Sequence, residues 1–186
     1  MHATRRLPAC LALAAVALAA SAGAVRCEDA AQALSGRYGE HFANGDVDGR
    51  AYDSDDVVEI VPVGQGAAYL RIELAFFNGH TCSLSGIGAA DGGRIVYEDA
   101  EPDMPGAPPC VLTVSRDGAT LLVDDADGSC KAHCGVRGSL SNVTLPFASR
   151  RPIRYMARLK ASREYADALR AWQKKPGAAS TTRKGP

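Results

Sequence analysis

Apolar and polar residues alternate along most of the chain in short runs that are typical of strands. Between Leu34 and Phe147, runs of Val, Ile, Leu, Tyr and Phe are separated by Gly, Asp, Asn and Pro. The apolar group favours the pleated surface of a sheet, and about eight antiparallel strands at this spacing predict a mainly β fold, a small antiparallel β-barrel or sandwich. The predicted strands lie near Gly36–Glu40, Val57–Val61, Ala67–Phe77, His80–Gly86, Arg94–Tyr97, Cys110–Ser115, Thr120–Val123 and Val136–Leu145.

Glycine marks the predicted turns between these strands. Gly and Asn accept the positive φ of tight turns at little cost. The predicted turns are Asn44-Gly45, Asn78-Gly79, Asp91-Gly92-Gly93, Asp117-Gly118 and Asp127-Gly128. The proline-rich segment from Glu101 to Pro109 has few backbone donors, so it is predicted to be the longest surface loop.

After Pro152 the pattern changes from alternation to a helical period. Apolar residues then recur about every 3.6 residues, which predicts a basic amphipathic helix within 149–175. The apolar stripe consists of Tyr155, Leu159, Ala166, Leu169 and Trp172, with Tyr165 beside it. The opposite side carries Lys160, Arg163, Arg170 and Lys174. Ser162 is predicted to cap the later part, Pro176-Gly177 to end it, and residues 176–186 to form a disordered tail.

Charge divides the chain near the same point. Residues 1–148 carry 19 acidic and 10 basic side chains, whereas residues 149–186 carry 2 acidic and 11 basic ones. A basic amphipathic helix either packs against the acidic body or contacts an anionic membrane surface. We expect packing, since it would bury the single tryptophan, Trp172, and the acidic body is nearer than a membrane. The candidate binding surface is formed by His133, Arg137, Arg158, Arg163 and Arg170, and no nucleic-acid partner is expected.

Residues 1–24 have the pattern of a secretory signal peptide. Arg5 and Arg6 precede the apolar run LPACLALAAVALAA, and the small residues SAGA follow it. The run is shorter than the roughly 20 residues of a membrane span. Arg26 stands directly before Cys27, where a lipid-attachment site needs a small residue, so lipidation is not favoured. The pattern predicts a periplasmic or secreted protein whose β domain occupies residues 25–148.

Export predicts that the cysteines form disulfides, because the compartment is oxidising. The favoured pairing joins Cys82 to Cys110 and Cys130 to Cys134, although the sequence alone leaves other pairings open. Cys27 is then the odd thiol. With Cys27 free or in a mixed disulfide, the protein is expected to be a monomer. With Cys27 bridging two copies, it is a dimer.

Metal binding is the main alternative chemistry, because Cys and His are the usual ligands of zinc. His80 and His133 lie close in sequence to the cysteines, so a metal-binding protein or a metal-dependent enzyme that uses these two histidines is the competing interpretation. The spacings His-x-Cys and Cys-x-x-His-Cys do not match paired zinc knuckles. No nucleophile or phosphate-loop motif is present, so we expect no enzymatic activity and no cofactor.

The acidic loop NGDVDGRAYDSD resembles a calcium-binding loop in the spacing of its oxygen-bearing side chains. Its candidate positions are Asn44, Asp46, Asp48, Gly49 and Asp55. The last position normally holds a bidentate Glu, and the flanks are not helical in pattern. A solvated hairpin turn is therefore the favoured interpretation.

Four stretches together resemble a pattern of uncharacterised exported bacterial proteins, some of them grouped loosely with lysozyme-inhibitor-like proteins. The stretches are CSLSG, RIVYE, PCVLTV and DGSCKAHCGVRGSL, within Tyr69 to Leu145. The Cys-Gly-x-Arg-Gly element at Cys134 to Gly138 is the most specific of them. The resemblance implies a compact, non-enzymatic β domain. A rigid disulfide-stapled scaffold suits the display of loops, so we expect a binding or inhibitor-type module with a protein or cell-envelope partner.

Overall fold

A computed structural model describes residues 29–64, 66–99, 106, 108–125 and 127–175. Eight antiparallel strands follow one another in chain order and form one nearly closed barrel, which confirms the predicted mainly β fold. The strands are β1 (Gly36–Gly45), β2 (Ala51–Gly64), β3 (Ala67–Ala75), β4 (Thr81–Asp91), β5 (Arg94–Glu98), β6 (Val111–Asp117), β7 (Thr120–Asp124) and β8 (Val143–Pro146). The predicted signal peptide, Cys27, the C-terminal tail and most of the proline-rich loop lie outside the described residues.

Alternation along the strands fills the barrel with apolar side chains. On β2, Val58 and Ile60 point into the core, and Glu59 between them points to the outer face. Such period-two alternation follows from the pleat of a strand. The buried interior also includes Tyr38, Leu70, Ile72, Leu84, Ile95, Leu112, Val114, Leu121, Val123 and Leu145. The barrel is therefore packed rather than hollow.

The barrel closes where β1 meets the segment that follows β8. Arg37 and Arg151 exchange two backbone hydrogen bonds of 2.9 and 2.8 Å. The Ser149 hydroxyl accepts a further bond of 3.1 Å from the Gly39 backbone N–H. The closing contacts come from residues near the predicted domain boundary, so the chain after Phe147 belongs structurally to the barrel.

A short helix and a long connection cover the two ends of the barrel. Helix α1 (Ala30–Ala33) buries Ala30 and Ala31 in the core, and Asp29 caps it by accepting from Ala31 N at 3.0 Å. The other Asp29 carboxylate oxygen accepts from Gly66 N at 2.6 Å, which fixes α1 to the β2–β3 turn. At the opposite end the connection between β7 and β8 contributes Leu140 to the same core.

The predicted C-terminal helix is present but broken into two, α2 (Met156–Lys160) and α3 (Arg163–Lys174). Ser162 caps α3 as predicted, accepting from Tyr165 N at 3.2 Å. The break arises here because a capping residue leaves the helical backbone conformation. Among the described residues, no helix combines the length and the apolar character needed to cross a membrane.

The apolar side of these helices packs on the outer face of β2, β3 and β4. Leu159, Tyr165 and Ala168 are buried there against a second apolar cluster of the sheet. The Tyr165 ring meets the Tyr69 ring edge-on, with 4.9 Å between centroids. Trp172 is half-buried at the margin of this cluster. The helix therefore docks on the acidic body, which is the arrangement that we expected.

A buried carboxylate connects the same face to the start of the helical segment. Glu59 is fully buried on β2 and lies 3.1 Å from Arg71 and 3.6 Å from Arg37. The Tyr155 hydroxyl donates a hydrogen bond to Glu59 Oε1, the oxygen that faces Arg37. Burial, and then the bond to this carboxylate, raise the pKa of Tyr155. Because a buried charge needs partners, these contacts position the chain before α2.

The predicted strand over Val136–Leu145 is wrong in its first half, since only Val143–Pro146 pairs with β7. Lys131 explains the difference. Its ammonium group donates to the carbonyl oxygens of Gly135, Val136 and Gly138 at 3.4, 3.0 and 2.6 Å. These carbonyl groups thus find their hydrogen bonds in a side chain rather than in a neighbouring strand.

The docked helix yields a prediction about stability. Replacing Tyr165 by Ala removes a buried ring from the helix–sheet contact, and we expect a loss of about 3 kcal/mol in the free energy of unfolding. Urea unfolding of the oxidised protein measures it. Gln173→Ala, at an exposed position of the same helix, is the control and should change stability by less than about 0.5 kcal/mol. Equal effects of the two substitutions would contradict docking.

Candidate functional site

Both disulfides and the longest connections lie at one end of the barrel, which we call the disulfide end. The connections after β1, β3, β5 and β7 meet there, because alternate strands of an up-and-down barrel end at the same edge. The bridges are Cys82–Cys134 and Cys110–Cys130. At the other end, β2–β3, β4–β5 and β6–β7 are joined by short turns. Among the described residues, the disulfide end therefore presents most of the irregular chain that connects the strands.

The predicted disulfide pairing is wrong, because the order of the strands separates the cysteines that we paired. Cys82 lies on β4 and Cys110 precedes β6, with β5 between these two strands. Each strand adds about 4.8 Å across a sheet, so two strands exceed the usual Cα separation of a disulfide. Cys110 instead pairs with Cys130. Cys130 lies on the connection that follows β7, and β7 is the neighbour of β6 in the sheet.

Backbone contacts bring Cys134 to Cys82. The two residues form an isolated antiparallel bridge, and Gly135 N donates to Thr81 O at 2.8 Å. Gly138 lies against the same bridge, where an added Cβ would come within 2.7 Å of Cys82 Sγ. The segment from Cys130 to Gly138 is thus fixed at both ends, and a direct Cys130–Cys134 bond is not formed.

His133 lies between the two bridges and contacts Asp99 at the end of β5. Its Nε2 is 3.1 Å from Asp99 Oδ2, and the Tyr97 hydroxyl donates to Asp99 Oδ1. Gly86 makes room for the Tyr97 ring, since an added Cβ would lie 2.1 Å from Tyr97 Cε2. Burial alone would raise the pKa of Asp99, but the bonds from His133 and Tyr97 outweigh it and hold that pKa below its usual value.

One group of metal-type ligands occurs among the described residues, and it includes His133 but not His80. The ligand atoms of Asp99, Cys110 and His133 lie within 4.8 Å of one another. In the oxidised protein Cys110 is bonded to Cys130, so its sulfur is committed to the disulfide. The His80 ring lies instead beside Gly135. The competing metal interpretation used His80 together with His133, whereas the group of metal-type ligands joins His133 to Asp99 and Cys110.

Exposed apolar side chains gather at the disulfide end. Within the described residues the large hydrophobic side chains that are exposed are Val47 (66%), Phe77 (45%), Val111 (38%) and Val136 (84%). All four lie on connections or strand ends of this edge of the barrel. We call Val47, Phe77 and Val136, which come from three different connections, the apolar loop patch.

Hydrogen bonds between the connections hold the apolar loop patch in place. Asn78 Oδ1 accepts from Val47 N at 3.3 Å, and the Tyr52 hydroxyl accepts from Gly79 N at 2.9 Å. Asn44 Nδ2 donates to Phe76 O at 3.1 Å. The β1–β2 hairpin is thereby fixed to the β3–β4 turn that carries Phe77.

The acidic loop that resembles a calcium site is a hairpin turn, as favoured. Asp46 Oδ1 accepts from Asp48 N and Arg50 N at 3.0 and 2.9 Å, and Oδ2 lies 3.4 Å from the Arg50 guanidinium. Asp55 lies 3.0 Å from His41 across the hairpin. The carboxylates of Asp46 and Asp55 are thus engaged by partners within the hairpin.

The five candidate surface residues are spread over two regions. Arg137 is exposed at the disulfide end, and His133 is half-buried there beside Asp99. The other three are exposed on the helices. Arg163 and Arg170 both pair with Asp167, which reduces the positive charge of that face.

Arg158 borders a polar cleft between the helices and the sheet. Its guanidinium lies 5.1 Å from the centre of the Tyr155 ring. The cleft has a volume of about 520 Å³, and Arg71 and Glu164 line it as well. Charges of both signs thus face each other across it, so it does not select strongly for an anion.

Sequence reasoning missed Asp99, Tyr97 and Lys131. The signal for the first two was local: they are two residues apart at the end of β5, so their side chains leave the strand on the same side. No local sequence signal indicated the structural role of Lys131, because its partners are backbone carbonyl groups in irregular chain.

The low pKa of Asp99 predicts a pH-dependent contribution to stability. A carboxylate with a lowered folded pKa stabilises fully above its unfolded pKa of about 3.9, and the contribution is lost as pH falls through the folded value. Asp99→Asn should therefore reduce the free energy of unfolding by about 1–2 kcal/mol at neutral pH. The gap from wild type should close under strongly acidic conditions. Urea unfolding at stepwise lower pH checks this.

The control for that series is Asp127→Asn, in an exposed turn with positive φ that Asn tolerates. It should match wild type at every pH. A gap between wild type and Asp99→Asn that stays constant down to the lowest pH would contradict the role of the Asp99 charge.

Comparison with known proteins assigns the chain to no family. No protein-family model, curated protein or solved structure matches the chain. What the disulfide end does must therefore be inferred from its own side chains.

Proposed function

We propose that the chain is an exported, non-enzymatic binding module of the inhibitor type, which contacts a protein partner of the cell envelope through its disulfide end. The observation that carries the proposal is the gathering of exposed apolar side chains at that end. Single exposed apolar residues need no explanation, but a group rimmed by polar residues marks an interaction site. Arg50, His80 and Arg137 are polar residues on the same three connections as Val47, Phe77 and Val136.

The rigidity of the disulfide end supports binding to a preformed surface. Two disulfides, the Lys131 contacts and the bonds between the hairpin and the β3–β4 turn fix three connections relative to one another. A surface that is already ordered loses little conformational entropy when it binds. The same rigidity suits an inhibitor, which must present a fixed shape to its target.

Export is supported by the signal-peptide pattern of residues 1–24 and by the two disulfides, which are typical of oxidising compartments. The resemblance of CSLSG, RIVYE, PCVLTV and DGSCKAHCGVRGSL to lysozyme-inhibitor-like proteins makes lysozyme the first partner to test.

The test replaces the apolar loop patch by polar residues of similar size. The variant Val47→Thr/Phe77→Gln/Val136→Thr should keep its melting temperature, because all three side chains are largely exposed. Immobilised wild-type protein should capture a partner from a native envelope extract, and the triple variant should lose it. For the purified partner we expect an affinity loss of at least about 2 kcal/mol, or about 30-fold in Kd.

The matched control carries substitutions at the opposite end, Arg94→Ser and Ala119→Ser, both at exposed positions. It should bind the same partner as wild type does. Equal capture by the triple variant and by wild type would overturn the proposed surface. Inhibition of purified lysozyme by wild type but not by the triple variant would identify the inhibitor type directly.

A further inference from the structure

The Cys110–Cys130 disulfide is surrounded by side chains of the kind that bind zinc. His133 and Asp99 already lie next to each other beside it, with 3.1 Å between Nε2 and Oδ2. We propose that, when the Cys110–Cys130 disulfide is reduced, its two thiolates join His133 and Asp99 in binding one Zn²⁺ ion. Formation of the disulfide removes two of the four ligands and expels the ion. The position is thus a zinc site that is controlled by oxidation.

The distances fit a tetrahedral ion. With zinc–ligand bonds of about 2.0–2.3 Å, neighbouring ligand atoms in a tetrahedral site lie about 3.3–3.8 Å apart. The His133–Asp99 separation is close to that range, and Cys110 Sγ lies within 4.8 Å of both ligand atoms. Cys130 Sγ is not part of this group, so the Cys130 side chain must rotate toward Asp99 and His133 once the disulfide is opened, while its Cα atom lies 4.4 Å from that of Cys110.

The chain around Cys130 supplies two ligands from one short turn. Cys130 precedes the turn Lys131–His133 and His133 is its last residue, so the two form a Cys-x-x-His pair. Structural zinc sites commonly take ligands two to four residues apart from such turns, about as here. Cys110 and Asp99 come from the two ends of the β5–β6 connection, which supplies the second pair.

Neighbouring groups support each ligand. The Tyr97 hydroxyl holds the Asp99 oxygen that does not face His133. The Ser129 hydroxyl is 3.8 Å from Cys130 Sγ, and it would turn from the Asp125 carbonyl oxygen, at 3.1 Å, to donate to a thiolate. Supporting hydrogen bonds of this kind orient metal ligands and tune their basicity. Cys82–Cys134 has no comparable set among the described residues.

Burial explains why the thiolate form of the two reduced cysteines requires a cation. Cys110 and Cys130 are almost completely buried, at 1% and 0% exposure. Two thiolates at such a position are unfavourable without a positive partner. The side chains of His133 and Asp99 are 22% and 13% exposed, so they provide the route by which an ion enters.

The chemistry balances with a dithiol as reductant. The dithiol transfers two electrons and two protons to the disulfide, becomes a disulfide itself and leaves two thiols on the protein. Binding of Zn²⁺ then releases the two thiol protons to solvent. In the reverse direction an oxidising disulfide accepts two electrons from the thiolates and two protons from solvent and becomes a dithiol, the protein disulfide forms, and Zn²⁺ leaves. Every chain is synthesised with free thiols, so the zinc-binding form precedes the oxidised one.

The test uses the exported protein in its oxidised form and after anaerobic reduction by a dithiol that has been removed by gel filtration. Zn²⁺ is titrated in competition with a chromophoric chelator. We expect one ion per reduced chain and none on the oxidised chain. Co²⁺ in place of Zn²⁺ should give a thiolate charge-transfer band, and an oxidising disulfide should abolish it.

Three variants assign the ligands. His133→Ala and Cys110→Ser/Cys130→Ser should each lower the affinity of the reduced protein for Zn²⁺ at least 100-fold, whereas His80→Ala should leave it unchanged. Far-UV circular dichroism verifies folding, and the Co²⁺ spectrum of His133→Ala reports a changed ligand set even if stability falls. Absence of zinc binding by the reduced wild type would overturn the proposal. Equal affinities of His133→Ala and His80→Ala would overturn it as well.

Discussion

The connection between β7 and β8 is the constraint on which the disulfide end depends. It runs from the end of β7 at Asp124 to Val143, crosses the mouth of the barrel and has no strand of its own. Leu140 inserts into the core, and the two disulfides attach the connection to the starts of β4 and β6. In chain-entropy terms each bridge is worth about 3–4 kcal/mol. Without them, a mobile connection would uncover the core, and the contacts of Lys131 and His133 would lose their geometry.

A second anchoring point, on the side of the barrel, solves a different problem. The outer face of β2, β3 and β4 is too apolar to face water, since Val61, Tyr69 and Ile87 lie on it. Helices α2 and α3 cover this face, and Glu59 determines where the covering segment begins. Removing one partner of a buried ion pair commonly costs about 3–5 kcal/mol. The Glu59 contacts specify where the segment before α2 lies on the barrel. The apolar contacts supply the driving force for docking.

Local features could be predicted from the sequence, and features that depend on strand order could not. The Asn78-Gly79 turn, the cap at Ser162 and the alternation on β2 follow from residues that are neighbours in the chain. The disulfide pairing depends on β5 lying between β4 and β6, which no spacing of cysteines reveals. Likewise, the irregular chain after Cys134 looks strand-like by composition, and only the Lys131 contacts exclude a strand there.

The two proposals for the disulfide end are coupled through the segment from Cys130 to Gly138, which both disulfides hold. Binding of a partner needs the apolar loop patch to be ordered, and Val136 is held by the Cys134 disulfide on one side and by the Lys131 contact to Gly138 on the other. Zinc at Cys110 and Cys130 would fix the start of the same segment before oxidation, through His133 rather than through a disulfide. If both proposals hold, the ion acts as a temporary clamp that keeps Cys130 close to Cys110 and away from Cys134. The correct pairing then forms because the metal has already selected it, and the partner-binding surface is completed as the ion leaves.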